Sequence, residues 1–370
     1  MRKIGEFIKR EAVLSAAFVL AAVSMLFVPP DAVYLSYIDL RVLALLWCLM
    51  TVVAGLRRCG VFDALAAWLL RKNTAHSRML SVILVLLPFF TSMAVTNDVA
   101  LLTFVPFTIG LLANARCEAS VIPMLVLQTL AANLGSMATP VGNPQNLYLY
   151  GAYSMSAGEF FSAVLPFAGA ALLLLAACAL PVLPRRLSLS PLPTASAPNK
   201  RELIFYLALF CLCLLSVFRL LAWYWLLLAV LTAVTAFDRK LLAAADYPLI
   251  LTFVCFFVFS GNLGRIDAVN RALRSLMERN VFLTSVAASQ IISNVPAAVL
   301  LSGFTDAGRE LMLGTDIGGL GTPVASLASL ITMKFYLRTP GKKSGRFLAV
   351  FLGANAAFLA LFIALYYLLY

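Results

Sequence analysis

Long apolar runs recur along almost the whole 370-residue chain and restrict what it can fold into. Runs of about 17 to 25 apolar residues are long enough to cross a hydrocarbon core of about 30 Å as helices. With 62% hydrophobic and 12% charged residues, the chain cannot form a soluble domain of this size. We predict an all-α polytopic membrane protein with about nine crossings. These crossings lie at residues 12–29, 40–56, 121–150, 159–182, 202–219, 221–237, 247–263, 310–333 and 346–369.

Two further apolar segments, 79–113 and 281–304, carry small polar residues near their middle. The first contains Thr96-Asn97-Asp98 and the second contains Ser293-Asn294. Polar backbone at membrane depth must be buried in protein or line a cavity. Both segments are therefore predicted to be re-entrant hairpins with polar tips.

The formal net charge of +12 follows membrane topology. If the N-terminus is cytoplasmic, most Lys and Arg residues fall in cytoplasmic loops, which is the positive-inside bias. This distribution argues against a nucleic-acid partner. It predicts a multi-pass protein of a bacterial-type inner membrane, with the lipid bilayer as its surroundings and the C-terminus outside.

The order of elements occurs twice. Gly60-x-x-Asp-Ala recurs at Gly264, and Thr139-Pro140 recurs at Thr322-Pro323. The charge distribution gives the two copies opposite topology, and inverted repeats with interrupted helices are typical of secondary transporters. The predicted divisions are a lead and first helix (1–39), a first repeat (40–182), a cytoplasmic linker (183–200), connecting helices (201–245) and a second repeat (246–370), with hairpins at about 79–113 and 281–304 and broken helices at about 121–150 and 310–333.

The predicted substrate site lies where the hairpin tips meet the broken helices. Proline removes a backbone donor and clashes with the preceding turn, so each Thr-Pro pair interrupts its helix. The interruption exposes N–H groups at one half-helix and C=O groups at the other. The predicted substrate-binding residues are Thr96, Asn97, Thr139, Pro140, Gly142, Asn143, Ser293, Asn294, Thr322 and Pro323.

Asp98 and Asp316 are the acidic residues that fall well inside the predicted transport core. A carboxylate at this depth is costly and marks a candidate proton carrier or cation ligand. The alternative for Asp98 is that it caps the returning half-helix. The predicted coupling residues are Asp98, Asn133, Gly135, Asp316 and Gly318, with sodium placed near Asn97 and Asn294.

Other polar residues have simpler interpretations. Gln128 and Gln290 are expected to form interhelical hydrogen bonds. The seven cysteines contain no Cys-x-x-Cys, and His76 is the single histidine, so neither a disulfide framework nor a zinc site is predicted, and no cofactor is expected beyond coupling ions. No nucleophile and base pair or phosphate loop indicates an enzyme.

The paired motifs resemble those of the ion transporter superfamily, which includes citrate transporters, divalent anion:sodium symporters, arsenite permeases and some sodium/proton antiporters. The resemblance rests on residues 96–99 leading into Val105-Pro106, the break from Asn133 to Asn146, residues 293–296 and residues 318–323. It implies a midplane site, an elevator-like movement and a homodimer. Sodium-coupled dicarboxylate symporters of this group carry Ser-Asn-Thr at both tips, whereas the Asn97-Asp98 pair is more similar to arsenite permeases.

The sequence therefore predicts a secondary active transporter for a small anion, such as a di- or tricarboxylate, sulfate or an arsenite-type oxyanion, coupled to sodium or protons. The residues offer no basic side chain at comparable depth to bind that anion. Helix N–H groups, neutral side chains and a co-bound cation would have to hold it. The alternative is a sodium/proton antiporter of the same superfamily. A purely structural membrane protein would leave the repeated breaks unexplained.

Overall fold

A computed structural model describes residues 11–65, 67, 77–184 and 199–370, and this part of the chain is helical without strands. Short 3-10 segments cover Arg239–Ala244 and Ser302–Phe304. The α-helices are α1 Ala12–Phe27, α2 Tyr34–Tyr37, α3 Leu40–Arg58, α4 Ser77–Ser92, α5 Asn97–Asn114, α6 Glu118–Ser136, α7 Pro144–Ala152, α8 Ala157–Ala179, α9 Lys200–Val217, α10 Trp223–Phe237, α11 Tyr247–Arg265, α12 Asp267–Arg279, α13 Val281–Ile292, α14 Asn294–Leu301, α15 Gly308–Gly318, α16 Leu327–Tyr336 and α17 Ser344–Leu369.

Polar residues fix where several of these helices begin. Asp39 accepts the backbone N–H of residue 42 at 3.0 Å and starts α3. Asn280 accepts the N–H of residue 283 at 2.8 Å and starts α13. Ser156 and Glu159 form a reciprocal capping box at the start of α8. Such side chains satisfy backbone donors that the first helical turn leaves free.

The helices have the lengths and surfaces of membrane-spanning elements. Six in the described part are long and apolar enough to cross a bilayer, namely α3, α5, α6, α8, α11 and α17, and several shorter apolar helices accompany them. Large apolar side chains point outward, including Leu26 at 81%, Leu173 at 72% and Ile204 at 67% exposure. A water-soluble monomer would not expose so large an apolar surface. The predicted all-α polytopic membrane fold is confirmed.

Two helix pairs bend back on themselves within the predicted hairpin segments. Helices α4 and α5 join through residues 93–96, and α13 and α14 join at Ser293, which has a φ of 75°. Two longer interruptions follow them along the chain. Residues 137–143 separate α6 from α7, and residues 319–326 separate α15 from α16.

Helix α6 lies at the centre of one helix group. It packs against α4, α5 and α8, and also against α16 and α17. In the 18-residue apolar stretch of α6 that could cross a bilayer, 83% of the residues are buried, whereas in the corresponding stretch of α17 only 22% are buried. Helix α17 is therefore peripheral. On the other side of this group, α15 packs against α13 and α14. Each hairpin therefore packs against the broken helix that follows it.

A second helix group surrounds α3 and α11. Helix α3 packs against α9 and α10, and α11 packs against α1. Asn262 on α11 donates to the Ser24 hydroxyl of α1 at 2.9 Å and to the Tyr34 hydroxyl at 2.8 Å. The two groups meet where α3 contacts α7 and where α11 contacts α14.

Ion pairs join loops at the two ends of α3. Asp31, before its start, pairs with Arg265 at 2.8 Å, and the hydrogen bond from that guanidinium holds the pKa of the Asp31 carboxyl below its usual value. Arg58, at its other end, pairs with Asp238. Each ion pair thus joins two residues that the sequence predicts to lie on the same side of the membrane. The assignment of one side as cytoplasmic stays a prediction.

Between residues 57 and 78, apolar residues at helical spacing lie between basic ends, which predicts a helix in the membrane interface. This segment is described only in part, with residues 61–65 helical. Most of its remainder, residues 1–10 of the predicted lead and residues 185–198 of the predicted linker lie outside the described residues. The corresponding segment of the second copy is helix α12. The predicted domain boundaries remain predictions.

Candidate functional site

The two hairpin tips share one local structure. Asn97 Oδ1 accepts the backbone N–H of Asp98 at 2.9 Å, and Asn294 Oδ1 accepts the backbone N–H of Val295 at 2.9 Å. Each asparagine thereby satisfies a free donor at the start of the returning helix. At the first tip this acceptor is Asn97, and among the described residues no hydrogen bond shows Asp98 capping the returning helix. Asp98 Oδ1 is buried without a hydrogen-bond partner among the described residues.

Each Thr-Pro pair holds the hairpin that precedes it. The Thr139 hydroxyl donates to the carbonyl oxygen of Met93, and the Thr322 hydroxyl donates to the carbonyl oxygen of Gln290 at 3.1 Å. Met93 and Gln290 both lie four residues before the tip asparagine of their hairpin. The two copies therefore use the same connection between hairpin and broken helix.

Gly135 and Gly318, predicted as coupling residues, lie where helices pass closely. A Cβ atom on Gly135 would be 2.2 Å from the carbonyl oxygen of Phe89 on α4. A Cβ atom on Gly318 would be 2.8 Å from Cβ of Ser289 on α13. These distances are too short for any other residue. In this geometry both glycines allow the broken helix to pack directly on its hairpin.

Hydrogen bonds between the two copies are reciprocal. Asn133, six residues before Thr139, accepts from the Ser326 hydroxyl at 3.1 Å. Asp316, six residues before Thr322, accepts from the Asn143 amide at 3.2 Å. Ser326 and Asn143 each lie four residues after the threonine of their own copy. The position held by Asn133 and Asp316 in the two copies thus bonds in each case to the position held by Ser326 and Asn143 in the other copy. Such an exchange is expected across a twofold axis.

The first tip joins this crossing point. Asn97 Nδ2 donates to Asn133 Oδ1 at 3.0 Å, so one oxygen of Asn133 accepts from the tip and from the second break. At the second tip, the backbone N–H of Asn294 donates to the carbonyl oxygen of Ala325 at 3.0 Å, and the Ser293 hydroxyl does so at 3.3 Å. The first tip is therefore bonded to the end of α6, just before the first break, and the second tip is bonded to a residue of the second break.

The first break ends in a well-defined helix start. Asn143 Oδ1 accepts the N–H of Asn146 at 2.9 Å, and Pro144 occupies the first turn of α7. Gln145 Nε2 donates to Asp316 Oδ1 at 3.3 Å. Gly142 lies at the same break, where a Cβ atom would be 2.1 Å from the carbonyl oxygen of Ser136. The start of α7 therefore faces the Asp316 carboxyl of the other copy.

The second break is held by Gln290. Its Nε2 donates to the carbonyl oxygens of Gly318 at 2.6 Å and Leu320 at 2.9 Å, and its Oε1 accepts the N–H of Thr322 at 2.9 Å. Gln128, inside α6, bonds instead to both helices of the first hairpin, donating to the carbonyl oxygen of Leu84 at 2.8 Å and to Thr108 at 2.7 Å. Both glutamines form the interhelical bonds that the sequence predicts.

A cavity of about 440 Å³ leads to the first tip and the first break. Its inner wall includes Thr96, Asp98 and Asn143, and its outer part includes Arg57 and Asp246. Glu11 also contributes to the lining, so three carboxyl groups and one guanidinium come from the described residues of its wall. A larger cavity of about 580 Å³ lies between α12, α13 and the end of α17, away from both tips.

The structure brings most of the predicted residues together. The sequence also places Asn146 and Ser326 among the polar side chains around the breaks, outside the predicted substrate-binding set, and there they bond to Met137 and Asn133. Gln145, which bonds to Asp316, had no predicted role. The offset between the Thr-Pro pairs carries Asn143 onto Ser326, so the two are counterparts. Asp98 lies on the cavity wall, and the described lining of that cavity does not include Asn133 or Asp316.

Comparisons with known proteins agree with this architecture. The sequence pattern of the citrate transporter family matches residues 6–307. An uncharacterized transporter of Methanocaldococcus jannaschii is 34% identical over 308 residues, covering 82% of this chain and 83% of the relative. Inner membrane protein YbiR of Escherichia coli is 30% identical over 300 residues, covering 80% of each. A silicon efflux transporter of Oryza sativa is 34% identical over 158 residues, covering 41% of this chain and 31% of the relative. The chain therefore belongs to the citrate transporter family and is a multi-pass membrane transporter, not an enzyme.

Proposed function

We propose that the chain is a secondary active permease for a small oxyanion or its uncharged acid, coupled to sodium or protons. The observation that carries this proposal is the cavity of about 440 Å³ that ends at Thr96, Asp98 and Asn143. It connects the surface of the protein with a hairpin tip and a helix break. Buried breaks of this kind are where secondary transporters bind their cargo.

The proposed substrate site uses helix starts and neutral side chains. Helices α5 and α7 both begin at the inner end of the cavity, so the positive ends of their dipoles face it. Asn143 and Thr96 supply polar groups on the wall, and Thr139, Pro140 and Gly142 shape the break. Ser293, Asn294, Thr322 and Pro323 form the corresponding region of the second copy. An oxyanion suits such a site because helix starts favour negative charge.

The charge of the cavity narrows the substrate class. Among the described residues that line it, the two carboxylates Asp98 and Asp246 outnumber the single guanidinium, that of Arg57. A multiply charged anion such as citrate would be repelled here unless cations accompanied it. We therefore favour a weakly acidic oxyacid of the arsenite or silicate type over a tricarboxylate. The similarity to a silicon efflux transporter supports this choice.

The proposed movement is elevator-like and uses an inverted repeat. The reciprocal pairs Asn133–Ser326 and Asn143–Asp316 support the repeat, because they are related as twofold copies would be. They also tie the two broken helices and their hairpins into one unit. The helix group around α3 and α11 would then be the scaffold along which this unit moves. We also propose that the protein forms a homodimer through that scaffold. It would lie in a bacterial-type inner membrane with its N-terminus in the cytoplasm.

Uptake into proteoliposomes tests the proposed activity. Arsenite, silicate, sulfate, succinate and citrate are offered with and without a sodium gradient and with and without a pH gradient. Accumulation of arsenite or silicate that requires one of the gradients supports the proposal. If none of the five substrates accumulates under any gradient, the proposal fails.

Sodium/proton antiport is the second candidate, favoured by the acidic wall of the cavity. In that case sodium flux without any anion would depend strongly on pH. Asp98→Asn would abolish this flux because the wall would lose its innermost carboxylate. Sodium flux that is unaltered in Asp98→Asn would exclude antiport through this residue.

A further inference from the structure

Three buried oxygen atoms around Asp316 lack hydrogen-bond donors. They are Oδ2 of Asp316, Oε1 of Gln145 and Oδ1 of Asn146, all unpartnered in the part of the chain that the structure describes. The three residues are 4%, 1% and 0% exposed. Most buried polar groups are paired, so three orphan acceptors in one place require an explanation.

Hydrogen bonds already place Asn143 and Gln145 at the Asp316 carboxyl group, and Asn146 is the next residue of α7. Asp316 Oδ1 accepts from Asn143 Nδ2 at 3.2 Å and from Gln145 Nε2 at 3.3 Å. Because the Gln145 amide carries both atoms, its orphan oxygen lies beside the same carboxyl. Asn146 Nδ2 donates to the carbonyl oxygen of Met137 at 3.2 Å, which leaves its oxygen free. Among the described residues, no Lys or Arg forms an ion pair with Asp316.

We propose that Asp316, Gln145 and Asn146 hold a dehydrated sodium ion between the two copies. Carboxylate and amide oxygens are the donors that hard cations prefer. The site supplies one formal negative charge, which suits a monovalent ion. The described residues contain no cluster of three or more His, Cys, Asp or Glu side chains that would hold a transition metal or a strongly bound divalent ion. A cation also offsets the cost of burying an unpaired carboxylate.

The site would be reached from the cavity. Asn143 lines the cavity and donates to Asp316, so it lies between the two. Asp98 on the cavity wall would attract cations toward it. Bound sodium would bridge Asp316 of the second copy and α7 of the first, so it would stabilise the unit that is proposed to move. This inference rests on the proposed function and assigns its coupling ion.

The same reasoning argues against sodium at the tip asparagines Asn97 and Asn294, where the sequence predicts it. Asn97 Oδ1 and Asn294 Oδ1 each accept a backbone N–H. The counterpart of Asp316 is Asn133, whose oxygen already accepts from Asn97 and Ser326. We therefore expect one site of this kind, on the Asp316 side of the twofold relation.

Sodium binding to the purified protein tests the site without any transport substrate. Sodium chloride replaces choline chloride at constant ionic strength and pH, and the unfolding temperature is followed by tryptophan fluorescence. We expect a saturable rise in wild type that potassium does not reproduce. Asp316→Asn should abolish the rise. Gln145→Met, which keeps the charge and similar volume, should weaken sodium affinity at least about tenfold, as loss of a supporting metal contact does.

Gln128→Met is the matched control and should keep the sodium response. Gln128 is as buried as Gln145 and also has an unpartnered Oε1, but its amide bonds to Leu84 and Thr108 and not to Asp316. The absence of a sodium response in wild type, or an equal response in Asp316→Asn, would overturn the proposal. A response lost in Gln128→Met but retained in Gln145→Met would overturn it as well. If Asp316→Asn does not fold, Gln145→Met decides alone. Proton-driven uptake in proteoliposomes with no sodium response would refute this site and leave the proposed permease standing.

Discussion

Replacement of Gly135 by alanine tests whether close helix packing sets the position of the first hairpin tip. The added Cβ would lie 2.2 Å from the carbonyl oxygen of Phe89, on helix α4. Restoring an ordinary contact requires α4 to move by about 1 Å, and overpacking of this size costs about 1–3 kcal/mol. If the hairpin moves as one body, the Asn97–Asn133 bond of 3.0 Å lengthens to about 4 Å, which is too long for a hydrogen bond. Gly135→Ala should therefore lower both stability and substrate uptake.

Gly110→Ala, in the hairpin against which Gly135 packs, is the matched control. A Cβ atom there meets nothing within 4 Å, and the residue lies inside α5. Alanine in place of a helical glycine stabilises by about 0.5–1 kcal/mol, so this variant should be at least as stable as wild type. Unfolding in detergent and proteoliposome uptake would be measured for both variants. The packing argument is refuted if Gly135→Ala matches Gly110→Ala in both assays.

Three further predictions follow from the hydrogen bonds around the breaks. Gln290→Leu should destabilise the protein by about 2 kcal/mol or more in detergent unfolding, because it leaves three backbone groups of the second break unpaired. Unchanged stability would show that Gln290 does not hold the second break. In a double-mutant cycle on the free energy of unfolding, Asn133→Ala and Ser326→Ala should have a coupling energy of about 0.6 kcal/mol, which is typical for hydrogen bonds within membranes. In the control cycle, the effects of Ser326→Ala and the distant Thr232→Ala should add within about 0.5 kcal/mol. Ser293→Gly relieves a positive φ of 75° and should retain stability, so loss of uptake in this variant would show that the hydroxyl acts in transport, while full uptake would remove Ser293 from the site.

Local patterns in the sequence predict the breaks well because their causes are local. Pro140 and Pro323 interrupt helices through their own missing donor and ring. The interruptions observed at residues 137–143 and 319–326 contain them. The hairpins also follow from the sequence, since a polar group at membrane depth has few allowed environments. The same rule identified Asp98 and Asp316 as unusual, without showing what surrounds either carboxyl.

The partners of each polar residue could not be predicted in this way. Asn133 bonds to Ser326 and Asp316 bonds to Asn143, across separations of more than 170 residues. Such contacts require helix positions accurate to fractions of an ångström, which depend on how glycines and side chains pack over the whole group. Gln145 gave no signal in the sequence because its role comes only from the carboxyl that faces it.

The sequence by itself determined the membrane class, the order of the helices and the repeated polar breaks, because hydrophobicity and backbone chemistry act over short stretches of chain. Only the tertiary structure decided how the copies meet. It joined the two breaks through reciprocal hydrogen bonds, placed Asp98 on a cavity wall and enclosed Asp316 among unpartnered oxygens. The physical reason is that hydrogen bonding between distant segments is set by packing geometry, which no local pattern encodes.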